Sequence, residues 1–185
     1  MKALYINTRF YLMLLIVCIC FVTAMFIPVF FYIACGILVL FILLLILELF
    51  LLFHLKNGIS AQRIVPERLS NGDVNNVQLL LHNNYPFDVI LEVIDELPFQ
   101  FQERHFFLNT AIQKHQPKDI SYQLLPKERG VYAFGLLNVY VTTAINFVSK
   151  RYRLAQPVEV GVYPSFLNLR KYELLATRTA MLPNG

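Results

Sequence analysis

The sequence is poor in charge and in the motifs that nucleotide and ester chemistry require. Only 15% of its 185 residues are charged, whereas soluble domains average about 25%. The seven glycines are scattered over positions 36, 58, 72, 130, 135, 161 and 185, which excludes a phosphate-binding loop and a dinucleotide fingerprint. No serine occupies a G-x-S-x-G turn. These absences exclude several large enzyme classes.

Cysteine is missing from the 130 residues between Lys56 and Gly185. No disulfide framework can stabilise this part of the chain, which favours a domain kept in the cytoplasm. The histidines lack a second ligand at metal spacing; they are His54, His82, His105 and His115. No nucleophile stands beside a base at catalytic spacing. The sequence therefore predicts no metal, no cofactor and no enzymatic activity.

Charge is almost absent from the longest apolar stretch. The 44 residues from Phe10 to Phe53 carry one charged side chain, Glu48. About 20 helical residues cross a bilayer core of about 30 Å, so the stretch is long enough for two crossings. Pro28 near its middle interrupts helical hydrogen bonding. We predict a transmembrane α-helical hairpin over residues 10–55, with helices at 10–26 and 30–53.

A signal peptide is the competing interpretation of the N-terminal apolar stretch, but the apolar run is longer than about 15 residues and lacks a small-x-small cleavage site.

The flanks of this stretch predict its orientation. Basic residues lie close to both ends, at Lys2 and Arg9 before the hairpin and at Lys56 after it. The turn between the helices carries no charge. The positive-inside rule therefore predicts both ends, and the domain after residue 56, in the cytoplasm.

Glu48 has two interpretations, because an ionisable group within lipid is costly and often functional. In the first, it lies about one turn from the cytoplasmic end of the second helix, where it reaches lipid headgroups or stays protonated. In the second, it contacts a partner helix or forms part of an ion path. The position of Glu48 near the helix end favours the first.

Beyond Lys56 the apolar period changes to the alternation of strands with one buried face. Strands are predicted around residues 77–82, 89–93, 120–124, 131–141 and 158–162, with weaker candidates at 60–66 and 147–154. Residues 165–179 show a loose helical pattern. Short strands separated by turns predict an all-β antiparallel immunoglobulin-like sandwich over residues 56–164.

The turns between these strands supply candidate structural residues. Asn71-Gly72-Asp73 predicts a hairpin between the first two strands, and residues 126–130 link the strands near 124 and 131. Gly130 stands where a positive φ is expected, and Arg129 beside it is expected to satisfy backbone carbonyls across the sandwich. Both roles are structural.

Two charged clusters remain. Asp95-Glu96 is a candidate carboxylate pair, but it ends a strand just before Leu97-Pro98, which favours a solvated turn. The basic cluster is Lys150, Arg151 and Arg153. It is expected to contact anionic headgroups or an acidic partner, or else to be a solvated edge strand. No basic stripe interleaved with aromatics is present, so nucleic acid is not an expected partner.

Several short motifs occur in a recognisable order. They are Arg63-x-x-Pro66, Gly72-Asp73, Asn83-Asn84, Asp95-x-Leu97-Pro98, Tyr122-x-Leu124-x-Pro126-x-x-Arg129-Gly130-x-Tyr132-x-Phe134-Gly135 and Val160-x-Val162-Tyr163-Pro164. With the apolar hairpin before them, they resemble the N-terminal portion of bacterial membrane proteins in the domain of unknown function 58 family. The resemblance covers about 160 residues, and Asn146 departs from it where the family has glycine.

The resemblance implies a sandwich anchored in the inner membrane that precedes a von Willebrand factor A-like domain and works with a MoxR-type AAA+ ATPase. That A-like domain would begin after the sandwich, and residues 165–185 would lead toward it. We therefore expect a non-enzymatic scaffold or adaptor, with residues 1–9 as a cytoplasmic N-terminus. The alternative is a transport or channel subunit built from paired hairpins, for which Glu48 is the support.

Overall fold

The computed structural model describes residues 4–103 and 106–165. Helix α1 spans Thr8–Ala24 and helix α2 spans Val29–His54. Phe10 contacts Phe41 near one end of the pair and Phe21 contacts Phe31 near the other, so the helices run antiparallel. The two predicted helices are confirmed, with their boundaries within two residues of the expected ones.

The two helices differ in their length relative to a bilayer. Helix α2 has 26 residues with a mean hydropathy of 3.1, and by length and composition it can cross a membrane. Helix α1 is also apolar but has 17 residues, the lower limit of the range of about 17–25 that a crossing requires. Pro28 immediately precedes α2. At the start of a helix the backbone N–H groups have no helical acceptor, so the N–H that proline lacks costs no hydrogen bond there.

The rest of the described chain is formed of short strands. They are β1 Leu4–Ile6, β2 Ile59–Ile64, β3 Arg68–Ser70, β4 Asn75–Asn83, β5 Val89–Asp95, β6 Phe107–Ile112, β7 Pro117–Leu124, β8 Gly130–Phe134, β9 Leu137–Thr142, β10 Val148–Arg153 and β11 Val158–Tyr163. A five-stranded sheet has the order β1-β10-β9-β5-β6, and two three-stranded sheets have the orders β2-β4-β7 and β3-β11-β8. A 3₁₀ turn at Phe99–Phe101 follows β5.

The alternating residues of these strands form the core of a β-sandwich. The buried apolar positions of β4 and β5 are Val77, Leu79, Leu81, Val89, Leu91 and Val93. Burying each such side chain contributes about 1.5–3 kcal/mol. The predicted antiparallel sandwich is confirmed apart from one pair, since β11 runs parallel to β3.

Two predicted strand connections are wrong. The strand expected over residues 131–141 is divided at Gly135, because β8 pairs with β11 while β9 pairs with β5 in the other sheet. The strands ending at 124 and beginning at 130 do not pair either, since β7 lies beside β4. In both places the chain passes from one sheet to the other, and local turn residues do not specify that crossing.

The Asn71-Gly72-Asp73 turn is present and connects β3 to β4. The two strands expected on either side of it, β2 and β4, do pair antiparallel, but β3 lies between β2 and the turn. Gly72 has φ 76°, a conformation open to glycine at little cost. Strand β3 was not predicted, because three residues are too few for a period to show. Strand β6 was missed as well, since Phe107–Ile112 has partly exposed positions on both faces.

The expected domain boundaries also change at the N-terminus. Residues 4–6 are not a free terminus, because β1 pairs antiparallel with β10 and extends the five-stranded sheet. The sandwich therefore includes chain from before the hairpin as well as after it. The C-terminal segment at 165–185 and its expected helix fall, from residue 166 onward, outside the described residues.

Candidate functional site at the junction of helix and sandwich

The last turns of α2 pack against the sandwich, and this junction contains the buried side chain of Glu48. Its carboxylate accepts the hydroxyl hydrogen of Thr143 at 2.6 Å and the backbone N–H groups of Asn146 and Phe147 at 3.1 and 3.0 Å. Glu48 is fully buried. A buried carboxylate is tolerated when its oxygens accept such bonds, so Glu48 joins α2 to the loop between β9 and β10.

Both earlier interpretations of Glu48 are therefore corrected. The carboxylate does not reach headgroups, because it faces the loop 143–147 of its own chain. It neither lines a path open to ions nor faces a partner helix, because it is fully buried within the chain and accepts three hydrogen bonds there. The partner loop lies 95 to 99 residues away in sequence, so no local pattern indicated it.

Asn146 gives this loop its shape. Its φ is 63°, in the left-handed region that asparagine tolerates better than most residues. The turn brings its own N–H and that of Phe147 toward Glu48. Asparagine and glycine can both adopt this backbone conformation.

Lys150 joins the same two parts of the molecule from the strand side. Its ammonium donates to the carbonyl oxygens of Leu52 at 2.8 Å and Leu55 at 2.6 Å. It also lies 5.0 Å from the ring centroid of Phe53 and 4.8 Å from that of Tyr152. A cation at the C-terminus of a helix satisfies carbonyls that have no helical partner and interacts favourably with the helix dipole.

This position corrects the prediction for the basic cluster, because Lys150 is buried and β10 lies between β1 and β9. It is therefore neither on a solvated edge strand nor free for lipid. Arg151 points to the other face, where its guanidinium donates to Asn138 Oδ1 at 2.7 Å and to the hydroxyl of Tyr5 at 3.0 Å. Arg153 is exposed near the end of the strand. The three cations do not act as one patch.

Two tyrosines complete the junction beneath α2. The Tyr85 hydroxyl donates to Leu52 O at 2.8 Å and lies 2.7 Å from the Tyr152 hydroxyl, which accepts the Gly58 N–H at 3.2 Å. Burial raises the pKa of Tyr85, and the neighbouring Tyr152 raises it further. A Cβ at Gly58 would lie 2.2 Å from the Tyr85 ring, so only glycine fits here.

Aromatic packing extends the junction into the hairpin. The Phe41 ring lies 5.3 Å from that of Phe10 in α1 and 5.3 Å from that of Phe147 in the sandwich. Such edge or tilted pairs add about 0.5–1.5 kcal/mol beyond the area they bury. Asn7, just before α1, donates its backbone N–H to Phe147 O at 2.9 Å. Both helices are thus held to the sandwich by direct contacts and not by a flexible linker alone.

A second buried polar cluster lies within the sandwich, away from the helices. Arg63 on β2 forms an ion pair with Asp95 at the end of β5, and both side chains are almost fully buried. The same guanidinium donates to Gly135 O at 2.8 Å and Gln156 O at 3.0 Å. Tyr122 donates its hydroxyl to Asp95 at 2.6 Å. The cluster connects strands of both layers.

This cluster corrects two predicted roles. Asp95 is not in a solvated turn, because its carboxylate lies in the core; burial raises its pKa, and Tyr122 and Arg63 offset only part of that effect. The bridging of carbonyls expected of Arg129 belongs to Arg63, while Arg129 is exposed. In the sequence, Arg63 was visible only as part of the Arg63-x-x-Pro66 motif. A lone arginine in a weakly predicted strand gave no reason to expect its burial.

Two further structural residues occupy places close to their predictions. Gly130 has φ 145°, so the positive φ expected there is present. Pro98 is buried and directly precedes the 3₁₀ turn Phe99–Phe101. Glu96, the neighbour of Asp95, accepts the Leu136 N–H at 2.9 Å and an amide hydrogen of Asn138 at 2.8 Å. The two neighbouring carboxylates therefore have different roles: Asp95 lies in the core, and Glu96 fixes the connection between β8 and β9.

The described residues contain no group of three histidine, cysteine or acidic side chains placed to hold a metal. A depression of about 730 Å³ lies at the end of β5, beside Asp95, Glu96 and Phe99. Two of these side chains already have structural partners. The polar groups at the junction attach the apolar hairpin rigidly to the sandwich.

Comparison with protein-family models gives no match, and comparison with curated proteins gives none. Among solved structures, the CARDB domain of a Pyrococcus furiosus protein in complex with di-metal ions is 11% identical, with a TM-score of 0.37 over 57% of this chain and 87% of that one. A PapD-like domain of human CEP192 is 15% identical, with a TM-score of 0.42 over 58% of this chain and 87% of that one.

A β-glucosidase from Listeria innocua in complex with glucose is also similar, at 16% identity and a TM-score of 0.35. The match covers 58% of this chain but only 16% of the glucosidase chain. At these levels of similarity no residue role and no activity pass from these proteins to the present one.

Proposed function

We propose that this chain is a membrane-anchored, non-enzymatic scaffold. In this proposal α1 and α2 cross the inner membrane as a hairpin, and an immunoglobulin-like sandwich stands in the cytoplasm. The observation that carries it is the junction between α2 and the sandwich. Five hydrogen bonds fix it, three accepted by Glu48 and two donated by Lys150. Such a junction sets both the position and the orientation of the domain relative to the anchor.

The outward side of the hairpin supports the membrane part of the proposal. Exposed apolar residues follow both helices; those on α2 include Val39, Leu40, Leu43, Ile46, Leu47 and Phe50. A contiguous apolar surface of this kind marks a contact with lipid or protein. Membrane fractionation of the full chain tests it: the protein should stay in the pellet after alkaline carbonate and be released by detergent. Release by carbonate alone would contradict an integral anchor.

The partner expected for such a scaffold is a MoxR-type AAA+ ATPase together with a von Willebrand A-domain protein, and the motif resemblance supports this choice. Co-purification of the full chain from native membranes tests it, with Glu48→Ala as a comparison that loosens the junction. Recovery of neither partner would contradict the proposal. The full burial of Glu48, which accepts three hydrogen bonds within the chain, favours the scaffold over the transport alternative.

A further inference from the structure

Helix α2 continues well past the start of α1. In the antiparallel hairpin Phe10 lies against Phe41, so Thr8, the first residue of α1, stands about level with Leu43. From that level α2 runs on to His54, a further stretch of about 11 residues or about 16 Å. Within the described chain, the last part of α2 therefore has no second helix beside it.

One face of this part of α2 is covered by the sandwich, and the opposite face is bare. Glu48 and Leu52 are fully buried. Positions two apart differ by about 200° around a helix, so Phe50 points away from Glu48 and from the sandwich. The large apolar residues on this bare side are between 39% and 62% exposed. We call them the outer stripe: Leu43, Ile46, Leu47, Phe50 and Phe53.

The length of α1 places the end of the outer stripe outside the hydrocarbon core. Helix α1 has 17 residues, about 25 Å, and the core is about 30 Å thick, so a crossing uses all of α1. Thr8 then marks the border of the core, and beside it Arg9 donates to Ala144 O at 3.2 Å. Phe50 and Phe53 lie about 10 and 15 Å beyond that level, whereas a headgroup layer is about 5–8 Å thick. Acyl chains do not cover them, and an exposed apolar surface outside the core marks a contact with protein.

The spacing of the outer stripe is that of a seam between two helices. Leu43, Ile46, Phe50 and Phe53 follow one another in steps of three, four and three residues, which is the a and d spacing of a heptad. Copies anchored in one bilayer point the same way, so a two-fold axis along the bilayer normal brings two identical stripes together at one depth. The stripe contains no charged side chain, so two copies of it do not repel each other.

The apolar face is large enough for such a pair. Val39 and Leu40, both more than half exposed, continue the stripe into the bilayer. Seven half-exposed residues, at about 150 Å² for a whole large apolar residue, offer about 500 Å² per copy. A symmetric contact then buries about 1,000 Å² in total, the size at which specific interfaces begin.

We propose that the chain forms a parallel homodimer through the outer stripe of α2. This inference rests on the proposed anchoring by a crossing hairpin, and it names a second copy of the chain as a partner. Glu48 and Lys150 fix each sandwich to the side of α2 that faces away from the stripe. The dimer therefore holds two sandwiches on opposite flanks of the helix pair and presents two identical surfaces, which raises the avidity for a partner with two matching sites.

Disulfide cross-linking of the full chain in native membranes tests the dimer, with Cys18, Cys20 and Cys35 replaced by alanine. A single cysteine is introduced in the stripe as Phe50→Cys or, at nearly the same depth on the flank of the helix, as Leu51→Cys. A disulfide forms when two Cα atoms are less than about 7 Å apart, so oxidation should give at least about tenfold more product with Phe50→Cys than with Leu51→Cys.

The cross-linked product should have twice the mass of the chain. Equal yields at the two positions would indicate random collision and would overturn the dimer. A product of a different mass would show that another protein covers the outer stripe, which would overturn it as well.

Association without cross-linking is measured by energy transfer between copies labelled at Glu128→Cys, in the same chain without native cysteines, as the protein is diluted with lipid. The variant Ile46→Ala, Phe50→Ala truncates two exposed residues and should weaken dimerisation at least about tenfold. The matched control is Leu12→Ala, Leu15→Ala, because these residues of α1 are each 54% exposed at a depth that lipid covers. Equal weakening by the two double variants would contradict the seam.

The failure of the anchor and the failure of the dimer are distinguishable. A chain that alkaline carbonate releases from membranes contradicts the proposed anchoring, and the inference with it. A chain that stays in the membrane as a monomer leaves the anchor intact and overturns only the dimer.

Discussion

The two buried polar clusters use similar groups for different purposes. At the junction, Glu48 and Lys150 connect a helix to a strand and a loop, and each bonds mainly to backbone groups. Inside the sandwich, Arg63 and Asp95 bond to each other and connect strands of both layers. Loss of a junction residue should therefore loosen one part from another, whereas loss of a residue in the inner cluster should unfold the domain.

The contrast also concerns how each charge is stabilised. An isolated buried charge is very costly, and only paired or well-bonded ones persist. Glu48 accepts two backbone N–H groups and a hydroxyl hydrogen, which do not depend on another ionised side chain. Asp95 depends on an arginine, so removing either residue leaves the other charge buried without its partner. Four predictions test this difference, in order of expected effect.

The largest effect is expected for Asp95→Ala. It leaves the Arg63 guanidinium buried without a counter-charge, which should lower the free energy of unfolding by about 3–5 kcal/mol. Denaturant unfolding of the full chain in detergent, followed by tyrosine fluorescence, measures the change. Arg129→Ala is the control, since this exposed residue should change stability by less than about 0.5 kcal/mol. Equal effects of the two variants would refute the assignment of the bridging role to Arg63 and Asp95.

Glu48→Ala should have a smaller and local effect. Hydrogen bonds to a charged group contribute about 1.5–3 kcal/mol each, but solvent or lipid headgroups can replace part of them once the loop moves. We expect amide hydrogen exchange at Asn146 and Phe147 to accelerate about tenfold to a hundredfold, while the Leu91 amide in the core keeps its rate. Glu67→Ala, at an exposed carboxylate, should change none of these rates. Faster exchange at Leu91 would show that the junction and the core are one cooperative unit.

Gly58→Ala tests the fit of the tyrosines beneath α2. The added Cβ would lie 2.2 Å from the Tyr85 ring, and overpacking of this kind costs about 1–3 kcal/mol. Thermal unfolding should therefore begin at a lower temperature than in the unmodified chain. Gly36→Ala is the matched control, because nothing lies within 4 Å of its Cβ. A second change, Tyr85→Leu, should make the Gly58→Ala substitution less costly, and absence of this coupling would refute the clash.

The smallest effect is a pH dependence of the inner cluster. Burial raises the pKa of Asp95 in the folded protein, so the folded state binds this proton more tightly than the unfolded state, whose pKa is about 3.9. The stabilising contribution is complete below that value and is lost as the pH rises through the raised pKa. The difference in unfolding free energy between the unmodified chain and Asp95→Asn should fall over that range. A difference that grows with pH would indicate a lowered pKa instead.

The raised pKa of Asp95 and the high cost of removing it are consistent with each other. Forming a buried ion pair removes two charges from water, and their attraction does not always compensate for that loss. Once the pair is buried, however, truncating one partner leaves the whole desolvation cost of the other. The Asp95→Ala prediction therefore measures the cost of leaving Arg63 buried without its partner. The pH prediction measures how much more tightly the folded state than the unfolded state binds the Asp95 proton.

Much of the fold was predictable because it depends on local periods. The charge-poor stretch with Pro28 indicated two helices, and the alternation over residues 77–82 and 89–93 indicated two central strands. Two of the three missed strands, β1 and β3, have three residues each, and a period of two cannot be recognised in so short a segment. The third, β6, has six residues, but its positions are partly exposed on both faces. Strand pairing across sheets, as at residues 124 and 130, was not predictable because it is a property of the whole sandwich.

The candidate site was less predictable. The sequence singled out Glu48, Asp95, Gly130 and Lys150, and each of them has a definite structural role. Their partners were not indicated, since the contact of Glu48 spans 95 residues and that of Lys150 spans 98. Arg63 was named only within a short motif and was given no role, because burial of an arginine is a consequence of the pairing of β2 with β4 beside the end of β5.

By itself the sequence determined that this chain has an apolar helical hairpin before a sandwich of alternating strands, because helical and strand periods and breaks in charge are local properties. Only the tertiary structure decided that the hairpin and the sandwich are joined rigidly. That joint depends on where a carboxylate in α2, a loop after β9 and a lysine on β10 meet. Such meetings are set by the packing of the two layers, in which distant residues become neighbours once their shared core is buried.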